Sequence, residues 1–134
     1  MRLAVWSLVA LLTAVGATPS RIAPPQARGS NPTRSDILAA MKRATTFMVE
    51  RVSTNGGFVW AYLPDLSRRW GEIEARPSIV WIQPPGTATM GHLFLDAYHA
   101  TGDEYYYQAA EKDAGVLVWA QHPSGGWNYL PDLA

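Results

Sequence analysis

Between Ser67 and Arg76 the sequence reads SRRWGEIEAR, and five of these ten residues carry charge. Arg68, Arg69 and Arg76 present guanidinium forks, whose paired N–H groups match the two oxygens of a carboxylate. Glu72 and Glu74 are the acids among them. Trp70 sits inside the cluster and Trp81 just beyond it. Arginine forks beside flat indole faces suit a groove for an acidic sugar chain, with carboxylates on arginine and rings on tryptophan. A plainer account uses the same residues structurally. Arg68 and Arg69 then pair with Glu72 and Glu74 in a local ion network, and each tryptophan is a packing anchor. Trp60 and Trp127 fit packing best; Trp70 and Trp81 fit either role.

The remaining polar residues point to no other chemistry. His92 and His99 lie seven apart on one predicted helix, without a third ligand at metal-site spacing, and His122 stands alone before Pro123. Surface or core histidines account for them. Tyr105, Tyr106 and Tyr107 read as helix packing and surface. The sequence contains no HExxH, no G-x-S-x-G, no phosphate loop and no dinucleotide fingerprint. The absence of cysteine excludes disulfides and thiolate metal sites.

Three helices must position the charged stretch. The first is predicted to start between Asn31 and Asp36, capped by Asn31 or Thr33, with Ile37, Met41, Ala44, Met48 and Val52 as an apolar stripe. Asn55-Gly56-Gly57 ends it. The second is predicted from Thr87 or Thr89, with Met90, Leu93, Phe94 and Ala97 facing inward. Gly102 closes it, and Asp103 caps a third carrying Tyr106, Ala110, Ala114, Leu117 and Gln121 on one face. So tight a link predicts an antiparallel pair. Between the first two helices, Phe58, Trp60 and Tyr62 alternate as in a short strand, and Ile79 to Ile82 form a second extended piece.

Residues 1–17 open with Met1-Arg2, run apolar from Leu3 to Val15, and end in Val15-Gly16-Ala17, the pattern of a secretory signal peptide. Residues 18–32 are rich in proline and lack an apolar period, as a disordered spacer would. A secreted or periplasmic bacterial protein is expected, with no membrane attachment after cleavage. Losing residues 1–17 removes only Arg2 from the charge count. Ten basic side chains then face eleven acidic ones, which gives no basic patch for nucleic acid.

One phrase occurs twice. Gly57-Phe58-Val59-Trp60-Ala61-Tyr62-Leu63-Pro64-Asp65-Leu66 returns as Gly126-Trp127-Asn128-Tyr129-Leu130-Pro131-Asp132-Leu133. The separation is 69 residues at the glycines and 67 at the tyrosines. Recurrence marks the phrase as architecture: an aromatic anchor, a proline corner and an acidic cap. A period of one helix pair plus one loop predicts an all-α fold, a partial α/α toroid of helical hairpins whose long aromatic loops carry short extended segments. Residues 33–134 hold one and a half hairpins, too few to close a ring or cover their apolar faces. A fragment of a longer protein, of marginal stability, is therefore expected.

The stretch FMVERVSTNGGFVWAYLPDLSRRWGE, residues 47–72, resembles the opening of bacterial secreted pectic acid lyases. So does IQPPGTATMGHLFLDAYHATGDEYYYQAAEKDAGVLVWAQHPSGGW, residues 82–127. The resemblance covers most of residues 35–133. It implies an α/α toroid, β-elimination of polygalacturonate, an acidic polysaccharide partner, and calcium as a common cofactor. It also implies that the catalytic arginine and acids lie in later hairpins. Elimination at a uronate needs a cation on the carboxylate, a base for the C5 proton and assistance to the leaving oxygen. Arg68, Arg69, Trp70, Glu72, Glu74, Arg76 and Trp81 are the expected substrate-binding residues. A glycoside hydrolase on the same toroid is one rival reading. A non-catalytic helical module binding saccharide or protein is the other.

Overall fold

The computed structural model describes residues 31–134. The expected signal peptide and most of the expected spacer lie outside them. Helix α1 spans Arg34–Phe47. Thr33 caps it: its hydroxyl accepts from the Asp36 N–H, and the Asp36 carboxylate accepts in return from the Thr33 N–H. Two orphan donors are satisfied at once, which fixes the start at the second of the two predicted positions. The helix runs into a wider π-helical turn, Met48–Val52, in which the Ser53 N–H reaches back to the Met48 carbonyl. Only this end of the expected stripe meets the core. Met48, Val49 and Val52 pack with Phe58, Phe94, Ala109 and Ala110, whereas Ile37 is exposed.

Helices α2, Thr87–Thr101, and α3, Glu104–Ala120, form the antiparallel pair. Gly102 takes the left-handed conformation at φ 70°, and its N–H bonds to the Tyr98 carbonyl. The next residue, Asp103, accepts from the Tyr105 N–H and so caps α3. Asp103 also binds Lys42 Nζ at 2.6 Å, which ties α1 to the start of α3. Phe94 of α2 is buried, as expected, while Leu93 is exposed. On α3 the buried face is Tyr106, Ala109, Ala110, Asp113 and Val116. It shares only Tyr106 and Ala110 with the predicted face.

The expectation of an all-α partial toroid is overturned here. Residues 57–86 are not a loop between hairpins. They contain strands β1 (Ala61–Tyr62), β2 (Arg69–Trp70) and β3 (Glu74–Ala75), paired antiparallel in the order β1-β2-β3. The described chain is thus a small mixed α/β fold of three helices and a three-stranded sheet. The physical reason is backbone pairing over distance. The Trp60 N–H donates to the Trp70 carbonyl, and the Leu63 N–H to the Arg68 carbonyl. Such pairs use the backbone groups that a loop would leave to water.

The extended piece, residues 79–82, lies between the two copies of the repeated phrase. On one side the Trp81 N–H donates to the Phe58 carbonyl. On the other, the Val80 and Ile82 N–H groups donate to Pro131 and Tyr129, and the Leu133 N–H donates to Ser78. Thr87, fully buried at the head of α2, fixes the first copy from behind. Its hydroxyl accepts from the Phe58 N–H and donates to the Phe58 carbonyl.

Candidate functional site

The sheet register places the charged residues. Trp70 faces Glu74 and Arg69 faces Ala75 across β2 and β3. Residues two apart on a strand share a face, so Arg68, Trp70 and Glu74 project together. The Arg68 fork donates to both oxygens of Glu74, at 2.7 and 2.6 Å. Its guanidinium carbon lies 4.9 Å from the centre of the Trp70 ring. Arg69 points the other way. It passes the Tyr62 ring at 5.5 Å, donates to the Thr54 hydroxyl at 2.6 Å and to the Pro77 carbonyl at 3.1 Å. Arg76 donates to Asp132 at 2.6 Å.

Arg68, Arg69 and Arg76 line one hollow of about 410 Å³, with Glu74 as the carboxylate among its lining residues. Three arginines and one glutamate are in its lining, and Asp132, outside the lining, is bonded to Arg76, so the positive charges outnumber the negative ones by one. Each guanidinium has five N–H donors. Arg68 uses two on Glu74. Arg76 uses one of its nitrogens on Asp132, and its side chain is 75% exposed. Spare donors on a cationic concave surface are what a carboxylate-bearing ligand requires.

The titration of these groups fits binding rather than proton transfer. Glu74 is held below the usual carboxylate range by its hydrogen bonds from Arg68, and Arg68 is raised in turn by Glu74. Asp132 is lowered by the Ser78 hydroxyl first, then by the Ala134 N–H, with Arg76 adding its charge. A general base works best with a pKa near the operating pH. Arg68 is shifted away from that range, so it is a poor base.

The expected residues separate into two sets. Arg68, Arg69, Glu74 and Arg76 come together, with Trp70 under Arg68. Glu72 is exposed on the turn between β2 and β3 and does not line the hollow. Trp81 is 1% exposed and packs with Val59 and Ala75, so no sugar ring can stack on it. Its indole instead covers Gly71, where a Cβ would come within 2.2 Å of the ring. The expected ion network is present only as Arg68–Glu74. His92, His99 and His122 are all exposed.

Two contributors escape the sequence reading. Thr54 anchors Arg69 and Asp132 engages Arg76. A third residue, Asp113, stands apart from the hollow. It is 1% exposed, one carboxyl oxygen has no hydrogen-bond partner, and burial raises its pKa to about 8. An acid at the buried spacing of Tyr106, Ala109, Ala110 and Val116 was the available signal.

Calcium prefers several oxygen ligands, usually carboxylates. Among the described residues no three His, Asp or Glu side chains come together as a ligand set. Glu74 and Asp132 are each taken by an arginine. These residues do not fit calcium. No helix among them is long and apolar enough to cross a membrane.

Comparison with protein-family models, curated proteins and solved structures gives no match.

Proposed function

We propose that this chain grips an acidic polysaccharide of the polygalacturonate class, as the substrate-binding portion of a secreted pectate lyase-like activity. The observation that carries the reading is the hollow lined by Arg68, Arg69 and Arg76, cationic overall and with unused guanidinium donors. Uronate carboxylates repeat along such a polymer and match arginine forks. Neutralising the C6 carboxylate also makes the C5 proton more acidic, which is the first requirement of β-elimination. The hollow meets that requirement alone: Glu74 is held by Arg68 with its pKa lowered, and Arg68 is raised in turn, so neither is a suitable base. Turnover by the hollow by itself is not expected.

Isothermal titration of the purified protein with trigalacturonate, and with its neutral methyl ester, tests the reading. The acid is expected to bind, to weaken with added salt, and to bind about tenfold more weakly to Arg76→Gln, the loss of one charge-assisted hydrogen bond. Binding is expected to survive a chelator. Equal affinity for acid and ester would contradict the proposal.

A further inference from the structure

A second hollow, of about 330 Å³, is lined by Asn55, Lys112, Gly115, Val116, Trp119 and Leu133. Four of these stand at steps of three, one and three on α3, so they form a single face of that helix. The turn after α1 supplies the fifth. Gly56, at φ 104°, is pressed so close to α3 that a Cβ there would come within 2.6 Å of the Lys112 carbonyl. Only glycine tolerates both that conformation and that approach. The contact seats Asn55 beside Lys112.

Two short links join the arginines to this hollow. Thr54 holds Arg69 of the first hollow, and the next residue, Asn55, lines the second. Asp132 holds Arg76 of the first, and the next residue, Leu133, lines the second. Consecutive Cα atoms are about 3.8 Å apart, so Arg69 and Arg76 are each one hydrogen-bonded partner and one residue from this second lining. The second has residues of the kinds found in saccharide sites: Trp119, 62% exposed, with Lys112 and Asn55 in the same lining. Lys112 is the only charged residue in its lining. Its floor is open, since a Cβ on Gly115 would meet nothing within 4 Å.

We infer that this second hollow is a further subsite for the same acidic chain, taking a sugar ring on Trp119 and its carboxylate on Lys112. The inference rests on the reading of the arginine hollow and extends it to a two-site groove. It predicts that affinity grows with oligomer length, and that the growth depends on α3.

The test compares digalacturonate with hexagalacturonate by calorimetry on the wild type, Trp119→Ala, Gly115→Leu and Arg76→Gln. Gly115→Leu fills the hollow from an open position and improves helix propensity, so its melting temperature should hold or rise. Wild type is expected to bind the hexamer more tightly than the dimer. Trp119→Ala and Gly115→Leu should each lower hexamer affinity about tenfold and leave the dimer unchanged. Arg76→Gln should weaken both. Unchanged hexamer affinity in both α3 variants, with Arg76→Gln still weakening both ligands, would overturn the second subsite alone. Indifference of both ligands to Arg76→Gln would overturn the arginine reading and this extension with it.

Discussion

Tyr62-Leu63-Pro64-Asp65-Leu66 and its echo Tyr129-Leu130-Pro131-Asp132-Leu133 make the same local move in different surroundings. In each, the aspartate accepts from the backbone N–H two residues on, Ser67 in the first copy and Ala134 in the second. There the likeness ends. The residues leading into the first copy are built into the interior: Gly57, Phe58 and Val59 are buried, and the Tyr62 hydroxyl accepts from the Val59 N–H at 2.8 Å, while Leu63, Pro64 and Asp65 are exposed. The second copy is entered from the surface, with Trp127 45% and Tyr129 58% exposed, and Leu130, Pro131, Asp132 and Leu133 are half-buried beside residues 79–82. The shared phrase is local turn chemistry. What distinguishes the copies is what flanks them: the first leads into the arginines, and the second lends Asp132 to one of them.

Substitutions at matched positions should break that contrast, and the glycines should do so hardest. A Cβ on Gly57 would fall 2.5 Å from a methyl of the fully buried Val80. Gly57→Ala is expected to cost about 3 kcal/mol by overpacking. Its counterpart Gly126 meets only the Ser124 hydroxyl, at 4.0 Å. Gly126→Ala should stay within about 0.5 kcal/mol of wild type. Urea unfolding of both variants checks the pair.

Carboxylates give the next contrast. Asp65 and Asp132 have lowered pKa values, Asp65 through the Ser67 hydroxyl and N–H. Their stabilisation is present above the unfolded value and fades as pH falls through the folded one. Asp113 runs the other way. Its folded pKa is about 8 against an unfolded value near 3.8, because burial penalises the charged form. Its contribution is complete below about pH 4 and is lost as pH rises toward 8. Asp113→Asn should flatten that limb and gain roughly 2 kcal/mol over wild type at pH 9. Thermal melts at pH 5, 7 and 9 decide this. His92 lines the same small hollow as Asp113, so His92→Gln is the control. It should leave the slope above pH 7 intact.

Smaller effects are expected at the tyrosines. Tyr62→Phe deprives the Val59 N–H of its acceptor, at a cost of about 1 kcal/mol. Tyr129→Phe, on an exposed ring, should change stability by less than about 0.5 kcal/mol. The smallest effect belongs to Asp132→Asn. Removing the carboxylate that competes for Arg76 should tighten trigalacturonate binding by about twofold to threefold at low salt. Calorimetry reads it.

The α2–α3 hairpin is legible in the sequence because its signals are local. Gly102 must take a left-handed conformation, Asp103 can cap, and the two are adjacent. Thr33 with Asp36 is legible for the same reason. The sheet is not, since its strands are two residues long and are defined by partners such as Trp60 and Trp70. The toroid expectation fails at that point. It treats the two copies as one repeated hairpin unit, whereas they flank a single extended segment from either side. In the site, clustering alone points to the arginines and Glu74. The partners of Arg69 and Arg76 lie 15 and 56 residues away, and no spacing rule reaches them. Trp81 reads as a stacking platform until its burial against Gly71 is seen.

Contact between the arginine hollow and uronate carboxylates can be read at the arginines themselves. Nuclear magnetic resonance of the arginine side-chain Nε–H groups tests it most directly, during titration of the purified protein with trigalacturonate and with a neutral trisaccharide. The Arg69 and Arg76 signals are expected to shift with the acid, saturate together, and stay still with the neutral sugar. Unmoved arginine signals during saturable binding of the acid, or equal shifts with the neutral sugar, would contradict it.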